Sequence, residues 1–270
     1  MVGKLIKHEV RRTLRWYLTI IAGAGLVVGL ATLAAVLLPA PLNSLFTVLG
    51  AIGTFAVPTV IPVWLGIDFY RSSYTKTGYL TRALPVKGST IYWVKLLYAY
   101  VLSLVALVVS LGLGYVAAIG FTVVGGGTVG DLNQGVSDTL AMIGDVLPGW
   151  AVAACLVLVL LWPFVWLASY YFAAAIGSEA WSSKMGVGGP ILVWFLFYTA
   201  SQVAGLLGAF IPLYLVFTEA GVELEVGVVN IFTTEAQNLL PVGVFLMMYV
   251  LTAVAIAWAS VSFDKKVELR

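Results

Sequence analysis

Six long apolar runs, at about residues 17–38, 45–67, 91–122, 150–176, 188–216 and 238–262, restrict this 270-residue chain more than any other feature. A hydrocarbon core of about 30 Å takes roughly 20 helical residues to cross, and every run is long enough. The expected fold class is therefore all-α: a polytopic membrane protein with six transmembrane helices, forming a single domain over residues 1–270 with no room for a large soluble one. Composition agrees, with 61% apolar residues, 10% charged residues and a mean hydropathy of +1.05, where an average soluble domain carries roughly a quarter charged residues.

The charges fix the expected orientation. Lys4, Lys7, Arg11, Arg12 and Arg15 precede the first run; Arg71, Lys76, Arg82, Lys87 and Lys95 lie between the second and third or at their edges. Lys184 follows the fourth run, and Lys265, Lys266 and Arg270 follow the sixth. The other connections hold no Lys or Arg, and two of them carry Asp131, Asp138, Asp145, Glu219, Glu223, Glu225 and Glu235. With six spans all 14 basic residues share one side, which the positive-inside rule makes cytoplasmic. Both termini are then inside, as expected of a protein of the bacterial cytoplasmic membrane; five or seven spans would scatter the basic residues over both faces.

Along residues 1–16 and into the first run, Val2, Leu5, Ile6, Val10, Leu14 and Tyr17 gather on one helical side and Lys4, Lys7, His8, Arg11 and Arg15 on the other. This pattern predicts an interfacial amphipathic helix against membrane lipid. A signal peptide is not expected, because the following run is too long for an h-region and five more follow.

Enzymatic chemistry finds few groups. His8 is the lone histidine and Cys155 the lone cysteine, so a metal site, a disulfide and a Ser-His-Asp set are all unexpected. Most acids sit in external connections; Asp68, at the inner end of the second run, has Arg71 one turn away as its structural ion-pair partner. "GGGTVG" (125–130) lacks the GK[ST] ending of a phosphate loop and is expected to be a flexible turn. Gly25 with Gly29, and Gly205 with Gly208, mark close-packing helix faces, and Pro58, Pro62, Pro163, Pro190 and Pro212 mark kinks or helix ends. Mid-run polar groups reduce to residues such as Ser169, Ser201 and Gln202. No nucleic-acid partner is expected.

The basic connection at 68–90 stands apart. Ser72 or Ser73 is placed to cap a short helix, Gly78 weakens it and Pro85 ends it. Its sequence "KTGYLTRALPVKGSTIYWVKLL" resembles the segment between spans two and three of type-2 ABC transporter permeases, with Gly78, Tyr79, Leu80, then Leu84, Pro85, Val86, then Lys95, Leu96, Leu97 in the family's order. The architecture is similar over the whole chain, the motifs over about 25 residues.

The resemblance implies that this connection is a coupling helix docking on a separate ATP-binding cassette subunit, through Ser73, Tyr74, Lys76, Gly78, Tyr79, Leu80, Arg82 and Leu84. The chain has no Walker A motif of its own, so ATP and Mg belong to that partner; the chain itself carries no cofactor and no enzyme site. The family pairs two permease chains, as homodimer or heterodimer, and often folds the segment at 217–237 into re-entrant, membrane-capping helices in place of a plain acidic external loop. Export of an amphipathic or peptide-like substrate follows as the expectation. Two other readings stay open: an ATP-independent secondary transporter or channel, which calls for deep charges or inverted repeats, and a non-transporting membrane partner protein.

Overall fold

Each of the six apolar runs holds a long helix, and two of the helices, the first and the second, extend well beyond their runs. The structure, a computed structural model, describes residues 2–75, 78, 86–218, 221–227 and 239–265. Helix α1 spans Val2–Leu37, α2 Leu42–Tyr74, α3 Gly88–Val124, α5 Gly149–Ile176, α6 Gly188–Ala209 and α7 Val242–Lys265. These six are long and apolar enough to cross a membrane. Helix α4, Val129–Val146, lies between α3 and α5, and a 3₁₀ turn covers Ala180–Met185.

The chain divides into two compact units, residues 1–65 with 97–142, and residues 66–96 with 143–270. In the first, α1 is one helix of 36 residues, about 54 Å long. The separate interfacial helix expected over 1–16 is continuous with the span, because "TLRWYLT" offers neither glycine, proline nor a cap to break it. Its buried stripe matches the projected apolar face only in part: Leu5 and Tyr17 face inward, but with Glu9 and Thr13 between them at four-residue spacing, while Val2, Ile6 and Leu14 are exposed. The inward polar atoms find partners, which is what makes the rotation tolerable. Glu9 pairs with Arg12 at 2.6 Å, the Thr13 and Tyr98 hydroxyls lie 2.6 Å apart, and Tyr17 Oη donates to Leu102 O at 2.9 Å. Small residues then let α1, α2 and α3 close: a Cβ on Gly53 would stand 2.8 Å from Val28 Cγ2, and one on Gly120 3.1 Å from Thr32 Cγ2. Of the Gly25/Gly29 pair, a Cβ on Gly25 would lie 3.9 Å from Leu113 Cδ2, while one on Gly29 would meet nothing within 4 Å.

In the second unit α5, α6 and α7 pack on one another. Gly208 and Gly243 meet back to back; a Cβ on Gly208 would reach within 2.6 Å of Gly243 O. Helix α6 stops at Ala209, short of the expected 216, because Phe210–Leu213 turns at Pro212 and the next residues are β-formers. Strand β1 (Tyr214–Thr218) pairs antiparallel with β2 (Gly221–Glu225) and with β3 (Leu239–Pro241), in the order β2-β1-β3. Gly221, at φ 129°, closes the hairpin where a side chain is disfavoured. The small sheet is a local addition to the expected all-α membrane fold, which the six long helices otherwise bear out. In the 217–237 segment, 217–218 and 221–225 are strand, 226–227 leave it, and the rest lies outside the described residues.

The "GGGTVG" stretch is also more ordered than a flexible turn. Gly125, Gly126 and Gly127 donate to Phe121 O, Val123 O and Thr122 O, and Thr128 starts α4. Thr128 N and Oγ1 donate to Asp131 Oδ2 at 2.7 and 2.9 Å, and Asp131 N returns a bond to Thr128 Oγ1 at 3.3 Å. This reciprocal cap is the acidic version of the capping box.

Candidate functional site

The richest side-chain cluster of the second unit sits where α2 ends and α3 begins, at the two roots of the 75–87 connection. On α2, Phe69, Ser72 and Ser73 share a face through three- and four-residue spacing; Tyr92 and Lys95 do the same on α3. Lys95 is 2% exposed. Its Nζ donates to Ser72 Oγ at 2.7 Å and Ser73 Oγ at 3.1 Å, and lies 5.9 Å from the centroid of the Phe69 ring. Burying an ammonium is costly without such compensation, and hydroxyl oxygens and a ring face both supply negative potential.

Phe69 is the hub of five rings. It stacks on Tyr171 of α5 at 3.9 Å and 12°, and has Tyr74, Tyr92 and Phe263 of α7 at 5.8, 5.8 and 5.9 Å. Tyr171 Oη donates to Lys95 O at 3.2 Å, binding α5 to the start of α3 by hydrogen bond as well as by ring packing. Two acids complete the base: Asp264 Oδ1 accepts from Ser89 N at 3.4 Å, and Glu179 Oε1 accepts from Ser262 Oγ at 2.7 Å. Asp264 thus acts as a through-space cap on the first turn of α3, where a carboxylate complements the helix dipole.

Ser73 and Tyr74, expected on a partner-facing surface, are 1% and 3% exposed, and Gly78 is buried. Nor do Ser72 and Ser73 cap a new helix: α2 continues through both to Tyr74, since nothing in "DFYRSSY" interrupts it and Lys95 takes up their hydroxyls. Asp68 is half-buried and Arg71 exposed, three positions apart near the end of α2. Lys76, Tyr79, Leu80, Arg82 and Leu84 lie outside the described residues. The roles of Lys95, Phe69, Glu179 and Asp264 escape a sequence reading because each looks ordinary alone; a lysine at a span edge suggests snorkelling. The one available signal is the Phe69-Ser72-Ser73 face opposite Tyr92-Lys95.

Away from this base, Ser169 and Ser201 spend their hydroxyls on Trp166 O and Phe197 O of their own helices. An aromatic ladder, Trp162, Trp166, Tyr170, Trp194 and Tyr198, joins α5 to α6 with ring centroids 5.7 to 6.4 Å apart. Among the described residues no three His, Cys, Asp or Glu side chains converge as metal ligands would. No family model, no curated protein and no solved structure matches the chain.

Proposed function

We propose that this chain is the membrane-spanning permease subunit of an ATP-driven transporter of the type-2 ABC kind, exporting an amphipathic or peptide-like substrate from a bacterial cell. Both termini and the 68–90 connection face the cytoplasm; a separate ATP-binding cassette subunit holds ATP and Mg, and a second permease chain completes the translocation path. The observation that carries this reading is mechanical. Both roots of the connection are locked into one buried cluster, through Lys95 with Ser72 and Ser73 and through Phe69, and that cluster also holds Tyr171 of α5 and Phe263 of α7. A push on the connection would therefore reach four helices at once. Closure of the ATPase around ATP would displace the connection and tilt those helices, switching access between the two membrane faces. Tyr79 and Arg82 are the side chains assigned to the partner's groove; Ser73 and Tyr74 serve as its anchors.

The test is a mild-detergent purification of tagged protein from its native host, with co-purifying chains identified by mass spectrometry and assayed for ATP hydrolysis. We expect a stoichiometric partner bearing a Walker A motif, lost when residues 72–84 are altered. Tyr79→Ala and Arg82→Ala should separate ATP hydrolysis from transport while leaving membrane insertion intact. Repeated isolation of the chain with no ATPase would overturn the assignment and favour an autonomous transporter.

A further inference from the structure

Helix α4 is an 18-residue helix with no buried residue, although seven of its residues are large and apolar. At 100° per residue, Val129, Leu132, Val136, Leu140 and Ile143 gather on one side, and Asp131, Gln134, Asp138 and Asp145 gather on the opposite one. Val136, Leu140 and Ile143 are 46, 64 and 38% exposed. Such a face, uncovered by the chain itself, needs an apolar medium.

We propose that α4 lies flat in the bilayer interface on the side away from the basic connections, with its apolar face in the headgroup–acyl boundary of a zwitterionic lipid layer. The connections supply the argument for lipid over a protein partner. Helices α3 and α5 are consecutive spans, so α4 joins them at one bilayer face. It does so through only residues 125–128 and 147–148, which reach at most about 14 and 7 Å. A helix about 27 Å long tied so closely at both ends has no room to stand along the membrane normal. Tyr115 Oη of α3 donates to Asn133 Oδ1 of α4 at 2.7 Å, holding the first turns of α4 beside the span. The residues flanking both connections are apolar and uncharged, "AIGFTVV" before and "GWAVAACLVL" after, as expected where spans leave the hydrocarbon. Charge selects the lipid class: α4 has three aspartates and no Lys or Arg, so its polar face is repelled by anionic headgroups. An amphipathic helix of this kind binds through buried apolar area alone.

Spin labels on single cysteines test this in the full chain, reconstituted in phosphatidylcholine nanodiscs, with Cys155→Ser as background. Val136→Cys, Leu140→Cys and Ile143→Cys probe the apolar side, and Gln134→Cys, Asp138→Cys and Asp145→Cys the acidic side. We expect a several-fold higher ratio of oxygen to nickel-chelate collision at the first three than at the last three, and a smaller contrast when phosphatidylglycerol replaces half of the lipid. Equal nickel access on both sides would place α4 in water and overturn the proposal. Spin–spin broadening at Leu140→Cys, independent of lipid, would overturn it in favour of a second copy of the chain on that face. Six positions are read independently, so one variant that fails to fold leaves the pattern legible.

Discussion

The Lys95 ammonium donates to the Ser72 hydroxyl at 2.7 Å across 23 positions of sequence, pinning the start of α3 to the end of α2. Ser73 accepts the same ammonium at 3.1 Å. A hydrogen bond to a charged group contributes about 1.5–3 kcal/mol when its loss leaves the charge less well solvated. Ser72→Ala with Ser73→Ala should therefore lower the Tm of the purified protein by more than Lys95→Met does, because the methionine removes the buried charge together with its need for partners. Thermal unfolding in detergent followed by intrinsic fluorescence makes the comparison; equal loss in both variants would argue that only packing matters at this site.

The Phe69 ring tests packing directly. Truncating a ring stacked at 3.9 Å on Tyr171 opens a cavity bordered by four other aromatics, and Phe→Ala in a core costs about 3–5 kcal/mol. Phe69→Ala should unfold first at the α2–α3 base, with amide exchange rising at residues 69–74 and 89–96 before it rises in α6. Phe69→Leu should lose less than half as much. Uniform loosening across all helices would contradict a locally anchored base.

How much of this was visible in the residues depends on what each pattern must satisfy. The six spans were legible because lipid demands some 20 apolar residues without interruption, and the sequence supplies them at the observed places with ends shifted by only a few residues at α3, α5 and α7. Inward faces were not. Leu5 and Ile6 are equally apolar, yet Leu5 is buried and Ile6 exposed, since lipid and protein interior favour the same side chains and the hydrophobic pattern loses its direction. Glu9 and Lys95 were hidden for the opposite reason: charge suggests exposure, and only the fold shows Arg12, Ser72 and Ser73 waiting. The β1–β2 hairpin was masked by the apolar run leading into it, where "LYLVF" suits a span end as well as a strand. Helix α4 was masked by three consecutive glycines, which signal a turn and say nothing of the Thr128–Asp131 cap that follows.

Close helix contact separates two glycines that look alike in sequence. A methyl on Gly208 would press within 2.6 Å of Gly243 O, a backbone atom that cannot step aside, while Gly29 has nothing within 4 Å. Overpacking of this kind costs about 1–3 kcal/mol, whereas Gly→Ala in an open helix position is favourable by up to about 1 kcal/mol. Gly208→Ala should lower Tm and Gly29→Ala should hold or raise it, both read by size-exclusion after heating. The reverse order would mean that the α6–α7 approach relaxes more easily than the geometry implies.

Acid should loosen α4 from its N-terminal end. The Thr128 backbone N–H and then its hydroxyl hold the Asp131 carboxyl below its ordinary value. A carboxylate with a depressed folded pKa contributes stability above its unfolded pKa, about 3.9, and loses that contribution as pH falls through the folded value. Amide exchange at residues 129–132, corrected for intrinsic rates, should therefore be flat above the unfolded carboxyl pKa of about 3.9 and become faster relative to the rest of α4 as the pH falls below it. Asp131→Asn should show the faster exchange at every pH and no acid-induced change of its own. Thr128→Ala should also speed exchange, because it removes the hydroxyl that both receives the Asp131 amide and donates to its carboxylate, but it should keep part of the acid-induced change, since the backbone N–H of residue 128 still donates to Asp131. An acid transition that survives Asp131→Asn would move the effect to Asp138 or Asp145 and remove the cap as its cause.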